Sequence, residues 1–355
     1  KHGYFKRRQH IQKIILNSLY GVLGLPVFRF YDVDNAEATT VTGQTFIKFS
    51  KDMANYYYNK QLGDKEDHCI YIDTDSLFYS SLPIIKKRYP DADTNDDDFM
   101  STKTIEMAGE LQDFLNKTYD QFAKRFLNLD KHRLDIKQEV VAKSGIWVSK
   151  KRYGQWVIRN NGVVVDKLDV KGLDVVRSNF PPAFRKFMSE ILMDILQDVE
   201  KEIIDMKILN FKKEMKTLPV VDIALPTGVK KVSKFISKGS NSSIFSNTVK
   251  GTPAHVKAAI AYNDMLKHLG LHKKFDTIRN GEKIKWVYLK QNPLGIPAIG
   301  FKGYDDPPKI MEFINKFVNH NKIFESVLKN KLDLFYESLS WTEPTDKSKT
   351  LEQFF

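Results

Sequence analysis

From Tyr4 to about Leu23, apolar side chains recur at mixed spacings of three and four, at Ile11, Ile14, Ile15, Leu19 and Val22. That period predicts a helix, and Gly21, Gly24 and Pro26 predict where it ends. "AEATTVTGQTFIKFSKDMANYYYNKQL" predicts a second long helix closing at Gly63. "HCIYIDTDSLFYSSL" then predicts two short β runs with charges at their junction. "PDADTNDDDF" predicts an acidic surface loop, and a helix is expected from Thr104 to about Leu127. "RLDIKQEVVAKSGIWVSKKRYGQWVIRNNGVVVDKLDVKGL" is rich in Val, Ile and aromatics, with Asn-Asn-Gly as a hairpin turn.

The pattern changes near "RSNFPPAFRKF", which predicts a domain boundary around residue 178. Pro181 and Pro182 precede an amphipathic helix expected to run to about Met215. A Ser/Gly-rich stretch, "SKGSNSSIFSNT", leads into the helix "PAHVKAAIAYNDMLKHLG". A β run, "EKIKWVYLKQNPLG", and a last helical stretch to Leu339 follow. The tail "WTEPTDKSKTLEQFF" is polar until its final residues. No internal repeat and no Walker-type phosphate loop occurs.

Length and charge narrow the partners. A chain of 355 residues suggests two or three compact units. The 56 Lys+Arg against 44 Asp+Glu leave a net charge of +12 and a pI near 9.3, which favours a polyanionic partner. A single cysteine, Cys69, excludes an internal disulfide framework and fits a reducing cytoplasm. No apolar run reaches the about 18 residues a membrane span needs, and no signal-peptide pattern is present. The first residues, "KHGYFKRRQHIQK", suggest an excised part of something longer.

Three stretches carry candidate chemistry. In "YIDTDSLFYS", Asp73 and Asp75 sit one residue apart in an apolar and aromatic run. Strand alternation would point both from one face, and a tight turn would bring them closer still. Two close carboxylates need a metal, a shared proton or a basic partner. Mg²⁺ is held by one or two carboxylates plus substrate phosphates. In the first helix, Lys6, His10, Lys13, Asn17 and Tyr20 form one stripe. Lys13 and Tyr20 lie about 10 Å apart along the axis, roughly the span from a triphosphate to its base. An ordinary solvated helix face has the same pattern. In "KSGIWVSKKRYGQW", Lys150, Lys151 and Arg152 adjoin Tyr153. Cations beside a flat ring suit a nucleic-acid backbone, and a charged edge strand reads the same way. Glu139, in "DIKQEVVAK", is expected on an apolar strand as a candidate third carboxylate. Nine lysines between Lys201 and Lys238 could contact several phosphates.

"KIILNSLYG", "YIDTDS" and "SKKRYG", in this order, resemble the fingers motif, the second palm motif and the Lys-Lys-x-Tyr motif of family B DNA polymerases. "DVKGLDVVRSNFPP" and the thumb-like "KGTPAHVKAAIAYNDML" extend the similarity, which is greatest to replicative polymerases of T4-like tailed phages. The resemblance implies an α+β fold, a partial right hand with an antiparallel-sheet palm flanked by helices and a mainly helical thumb. It implies fingers over 1–24, palm over 25–177, thumb over 178–342 and a flexible tail over 343–355. Lys13 would contact the incoming dNTP and stabilise leaving pyrophosphate, Asn17 would position the triphosphate, and Tyr20 would pack beneath the nascent base pair. Asp75, supported by Asp73, would hold two Mg²⁺ ions, with Glu139 close by. Lys150, Lys151, Arg152 and Tyr153 would hold the primer–template. Ile72 stands where the family usually has Gly. "KTLEQFF" resembles a sliding-clamp peptide, with Leu351, Phe354 and Phe355 as anchors.

The family's first palm aspartate, its exonuclease and its first fingers helix have no counterpart here. The expectation is therefore the C-terminal part of a DNA-directed DNA polymerase, working in the cytoplasm of an infected bacterial host. It would be inactive alone and would need an N-terminal polymerase/exonuclease part. The alternative is a non-catalytic DNA-binding and clamp-tethering fragment. An RNA-templated or template-independent palm polymerase fits less well, given residues 13–20 and the Lys-Lys-Arg-Tyr tetrad.

Overall fold

A computed structural model describes residues 2–236 and 248–342. The chain divides into two units, one of Lys1–Lys143 with Ile158–Val165, the other of Ser144–Val157 with Asp166–Phe355. Helices and antiparallel sheets are mixed in sequence blocks, the α+β class. No helix among the described residues is long and apolar enough to cross a membrane.

In the first unit, α1 (His2–Leu23) is followed by tight turns and α2 (Val33–Leu62). Asp32 caps α2 by accepting from the Asn35 backbone N–H at 3.0 Å, so the helix starts ahead of the apolar pattern that begins at Ala36. Gly63 ends α2 in the left-handed conformation, φ 80°, with its N–H on the Asn59 carbonyl. The hairpin β1 (Cys69–Asp73) and β2 (Ser76–Tyr79) follows, then a short helix, α3 (Leu82–Arg88), which the pattern does not predict. The acidic stretch is a loop over residues 90–96, and its last three residues open α4 (Asp97–Phe126). The Asp96 carboxylate caps the N–H groups of Asp98 and Phe99 at 3.0 Å, and Asp97 and Asp98 fall in the first turn, where the helix dipole favours them. The helix therefore opens well before Thr104.

α2 and α4 share the core of this unit. Ala54, Leu115 and Tyr119 form one buried cluster, and Tyr57, Tyr58, Ile84 and Met107 another. Phe46 meets Tyr119 at 4.7 Å between ring centroids, and Phe49 meets Phe122 at 5.0 Å. Beyond α4, residues 133–139 alternate in burial yet form no strand. Their backbone is satisfied by side chains of α4 instead. Asn116 donates to the Ile136 carbonyl at 3.1 Å and accepts its N–H at 2.9 Å, and Gln112 accepts from the Gln138 N–H at 2.9 Å. The β pattern thus begins at Val140, and Glu139 precedes the strand expected to hold it.

β3 (Val140–Ser149), β4 (Arg152–Asn160) and β5 (Val163–Lys171) form a sheet of order β3-β4-β5. Two-residue turns join them, Lys150 with Lys151 and Asn161 with Gly162, which leaves only antiparallel pairing. Asn161 and Gly162 both have positive φ, 49° and 77°, as an Asn-Gly hairpin turn requires.

In the second unit, a 3₁₀ turn (Asp174–Val176) leads to α5 (Pro182–Leu196) and α6 (Lys201–Glu214). These replace the single helix expected to reach Met215. Asp198 adopts φ 58° and breaks the helix, and Lys207 of α6 holds Asp194 of α5 at 2.6 Å. α7 (Val220–Ile223) precedes β6 (Leu225–Gly228), α8 (Ala254–His268), β7 (Lys283–Tyr288) and β8 (Ala298–Phe301). The antiparallel sheet β6-β7-β8 packs on α8, and a Cβ at Gly300 would stand only 3.2 Å from the Ala258 carbonyl. α9 (Pro308–Phe317), α10 (His320–Ile323), a π turn (Phe324–Lys329) and α11 (Asn330–Ser338) follow. Phe184, Ile191, Leu192, Tyr262, Phe301 and Phe335 are fully buried in one continuous core. Burying each such side chain contributes about 1.5–3 kcal/mol.

Candidate functional site

The two aspartates occupy the tip of the β1–β2 hairpin. Asp73 ends β1 and pairs with Ser76, while Ile72 pairs with Leu77 and Tyr71 with Phe78. Asp75 is not a strand residue, so strand alternation does not bring the pair together. Asp73 and Asp75 instead flank a three-residue turn. The Asp75 N–H donates to the Asp73 carbonyl at 2.5 Å, and Thr74 between them takes a left-handed φ of 51°. The Thr74 hydroxyl donates to the Asp73 carboxylate at 2.9 Å, and the Ser76 hydroxyl to the Asp73 carbonyl at 3.1 Å. Asp73 is half-buried and Asp75 exposed. A β-branched residue at positive φ is a strained arrangement of the sort that clusters at functional sites. Ile72, where the resembled family has Gly, lies in regular pairing.

The root of the hairpin is fixed to α2. Asp67 accepts from the Lys51 ammonium at 2.5 Å and from the Asn55 amide at 2.9 Å. These bonds hold the Asp67 carboxyl down at about 2. Asn55 also accepts the His68 N–H at 3.1 Å. Tyr79 of β2 donates to the Lys51 carbonyl at 3.1 Å, and its ring lies 4.9 Å from that of Tyr58. Burial pushes both phenols up, so they stay neutral. Uncharged rings and one ion pair thus fix the strand that presents the carboxylates.

Lys6, His10, Lys13, Asn17 and Tyr20 lie on α1 and are exposed, as are all residues from 3 to 21. Tyr20 is anchored, its hydroxyl 2.7 Å from that of Thr40 on α2. The apolar side chains of α1 are not covered by the rest of the described chain, Ile15 and Leu16 being 62% and 68% exposed. Glu139 is exposed, and its carbonyl accepts the Asn161 N–H at 2.6 Å. Among the described residues, no group of three or more His, Cys, Asp or Glu side chains could hold a metal ion, so Glu139 does not complete a trio with the aspartates.

The Lys-Lys-Arg-Tyr tetrad spans the β3–β4 turn, in the second unit. Lys150 and Lys151 are exposed at its tip, with Lys151 at φ 63°. The Tyr153 ring stacks on Trp147 at 6.1 Å and 28°. Arg152 points to Asp174 at 3.4 Å. Gly172, φ 67°, lies against the turn: a Cβ there would fall 1.9 Å from the Lys151 carbonyl oxygen, so only glycine fits. Of the lysines that follow, Lys201, Lys207 and Lys212 are paired with Asp205, Asp194 and Glu325. Lys213, Lys216, Lys230, Lys231 and Lys234 are exposed, and Lys238 lies outside the described residues. Leu351, Phe354 and Phe355 also lie outside them. The sequence patterns single out none of Thr74, Gly172 and Asp174. A threonine between two aspartates and an aspartate flanked by Leu173 and Val175 were the available signals.

An acidic hairpin tip, a cationic helix and a cationic β turn define an α+β protein whose charges suit phosphate-bearing ligands. The chain belongs to DNA polymerase family B, whose sequence model matches residues 1–90 and 93–337. It is 26% identical over 327 residues to the DNA-directed DNA polymerase of Enterobacteria phage T4, covering 88% of this chain and 35% of that protein. Similarity to the Escherichia phage RB69 enzyme is 26% over 340 residues, 91% of this chain and 36% of the relative. A DNA polymerase of Archaeoglobus fulgidus is 26% identical over 264 residues, 73% of this chain and 26% of that protein. The chain thus spans about a third of the length of the phage relatives it matches.

Proposed function

We propose that the chain is the palm-and-thumb region of a replicative DNA-directed DNA polymerase, with part of its fingers, adding dNTPs to a primer 3′ end. The observation that carries this reading is the Thr74-centred turn, which sets Asp73 and Asp75 at one hairpin tip in a chain of this family. Two hard-oxygen carboxylates fit Mg²⁺, which completes its shell with water and phosphate oxygens. When bound, Mg²⁺ neutralises phosphate charge and aligns the attacking and leaving oxygens. Asp75, exposed, is the main ligand, and half-buried Asp73 supports it. Lys13 neutralises the triphosphate, Asn17 donates to it, and Tyr20, held by Thr40, backs the new base pair. Lys150, Lys151, Arg152 and Tyr153 hold the primer–template, with Arg152 also paired to Asp174.

The fingers, palm and thumb divisions at 24, 177 and 342 belong to this reading. In this reading a further acidic ligand for the metals comes from an N-terminal part of the polymerase, as the family resemblance implies. A sliding clamp would dock on Leu351, Phe354 and Phe355, and the setting is the cytoplasm of a phage-infected bacterium. Primer extension with Mg²⁺ and dNTPs tests the reading. The chain alone extends nothing, and an N-terminal family B segment restores extension. Robust extension by the purified chain alone contradicts it. A chain that binds duplex DNA but is never restored is instead a non-catalytic DNA-binding fragment.

A further inference from the structure

Asp174 follows Gly172 and is pinned between buried Leu173 and Val175, 2% and 6% exposed. Its side chain is only 12% exposed, yet three cations from separate segments converge on it. Lys331 of α11 lies at 2.9 Å, Arg152 of β4 at 3.4 Å and Arg177, just past the 3₁₀ turn, at 3.4 Å. One carboxylate balances one of these charges and leaves two. On α11, Asp333 does not supply the difference, because Lys329 engages it at 3.1 Å. The Arg152 Nε is buried with no hydrogen-bond partner among the described residues. Arg177 remains 55% exposed and Lys331 34% exposed, so the surplus charge faces water. Pairing alone does not account for three long cationic side chains gathered on one anion, since like charges repel and ordering them costs entropy.

We propose that this cluster seats one phosphodiester group of a nucleic-acid backbone, with Asp174 as the positioning residue that presents Arg152, Arg177 and Lys331 to it. The proposal rests on the nucleic-acid reading above and extends it to residues outside the Lys-Lys-Arg-Tyr tetrad. Arginine forks bind phosphate oxygens in pairs, and a carboxylate behind them fixes their orientation. The close approach of Gly172 to the Lys151 carbonyl ties the cluster to the β3–β4 turn, so the cluster and the tetrad lie side by side.

The full chain is titrated with a primer–template duplex, followed by fluorescence anisotropy across a salt series. Removing both Arg177 and Lys331 (R177Q with K331Q) lowers the slope of log affinity against log salt by about 0.9, one phosphate's share, not twice that. Asp174→Asn adds one net positive charge, and bulk electrostatics alone would tighten binding. The proposal requires the opposite, a loss of about tenfold, with Asp174→Glu restoring affinity. Asp174→Asn binding as tightly as wild type or more so, at an unchanged melting temperature, overturns it. If Asp174→Asn does not fold, an unchanged salt slope in the Arg177→Gln, Lys331→Gln double variant overturns it equally. Wild-type chain that fails to bind the duplex overturns the nucleic-acid reading and this proposal together. Wild-type binding with unaffected variants overturns this proposal alone.

Discussion

Asp67 shows how much of the candidate site depends on residues that carry no chemistry. Its bonds to Lys51 and Asn55 fasten the root of the hairpin to α2 and hold its carboxyl at about 2. A folded value below the unfolded one, near 3.9, gives stability that is fully present above about pH 4 and is lost as pH falls towards 2. Urea unfolding at stepped pH should therefore show an acid limb that Asp67→Asn flattens. Equal pH dependence in the two proteins would remove Asp67 from this role. Asp73, Asp75, Lys13, Asn17 and Tyr20 were legible as residue types at telling spacings. Thr74 was not, because a β-branched residue is among the least expected at positive φ.

At the scale of elements, the long periodic segments were readable: α1, α2, α8 and the Asn-Gly hairpin lie where the pattern puts them. What failed was local and has physical causes. The acidic stretch is a loop only as far as Asp96, which caps a helix that starts seven residues ahead of Thr104. Residues 133–139 stayed irregular because Asn116 and Gln112 took their backbone bonds. The break between α5 and α6 falls at Asp198, with no Gly or Pro to announce it, although its apolar period continues from Ile195 to Ile204. Aspartate tolerates the left-handed region through its short polar side chain, whereas a β-branched residue does not. Asp198→Val should lower the unfolding free energy by about 1–2 kcal/mol, read as a reduced urea midpoint at unchanged slope. A midpoint equal to wild type would mean the break is not set by that residue's backbone.

Over the whole molecule, the +12 net charge is a statement about partners more than about fold. Several lysines that looked available are spent on ion pairs, while Lys213, Lys216, Lys230, Lys231 and Lys234 are exposed. Duplex binding should still fall steeply with salt, by about 10³–10⁵ between 50 and 200 mM for six to ten phosphate contacts. A flat dependence would contradict a DNA-holding second unit. The chain matches family B over residues 1–90 and 93–337 and spans about a third of its phage relatives, and we propose that it takes part in their polymerase activity. The most direct test of that proposal is primer extension with Mg²⁺ and dNTPs, by the chain supplemented with an N-terminal family B segment. Wild type should extend the primer, and Asp75→Ala should not, while binding duplex DNA as wild type does. Extension by Asp75→Ala at the wild-type rate would contradict the assignment of the hairpin carboxylates to catalysis.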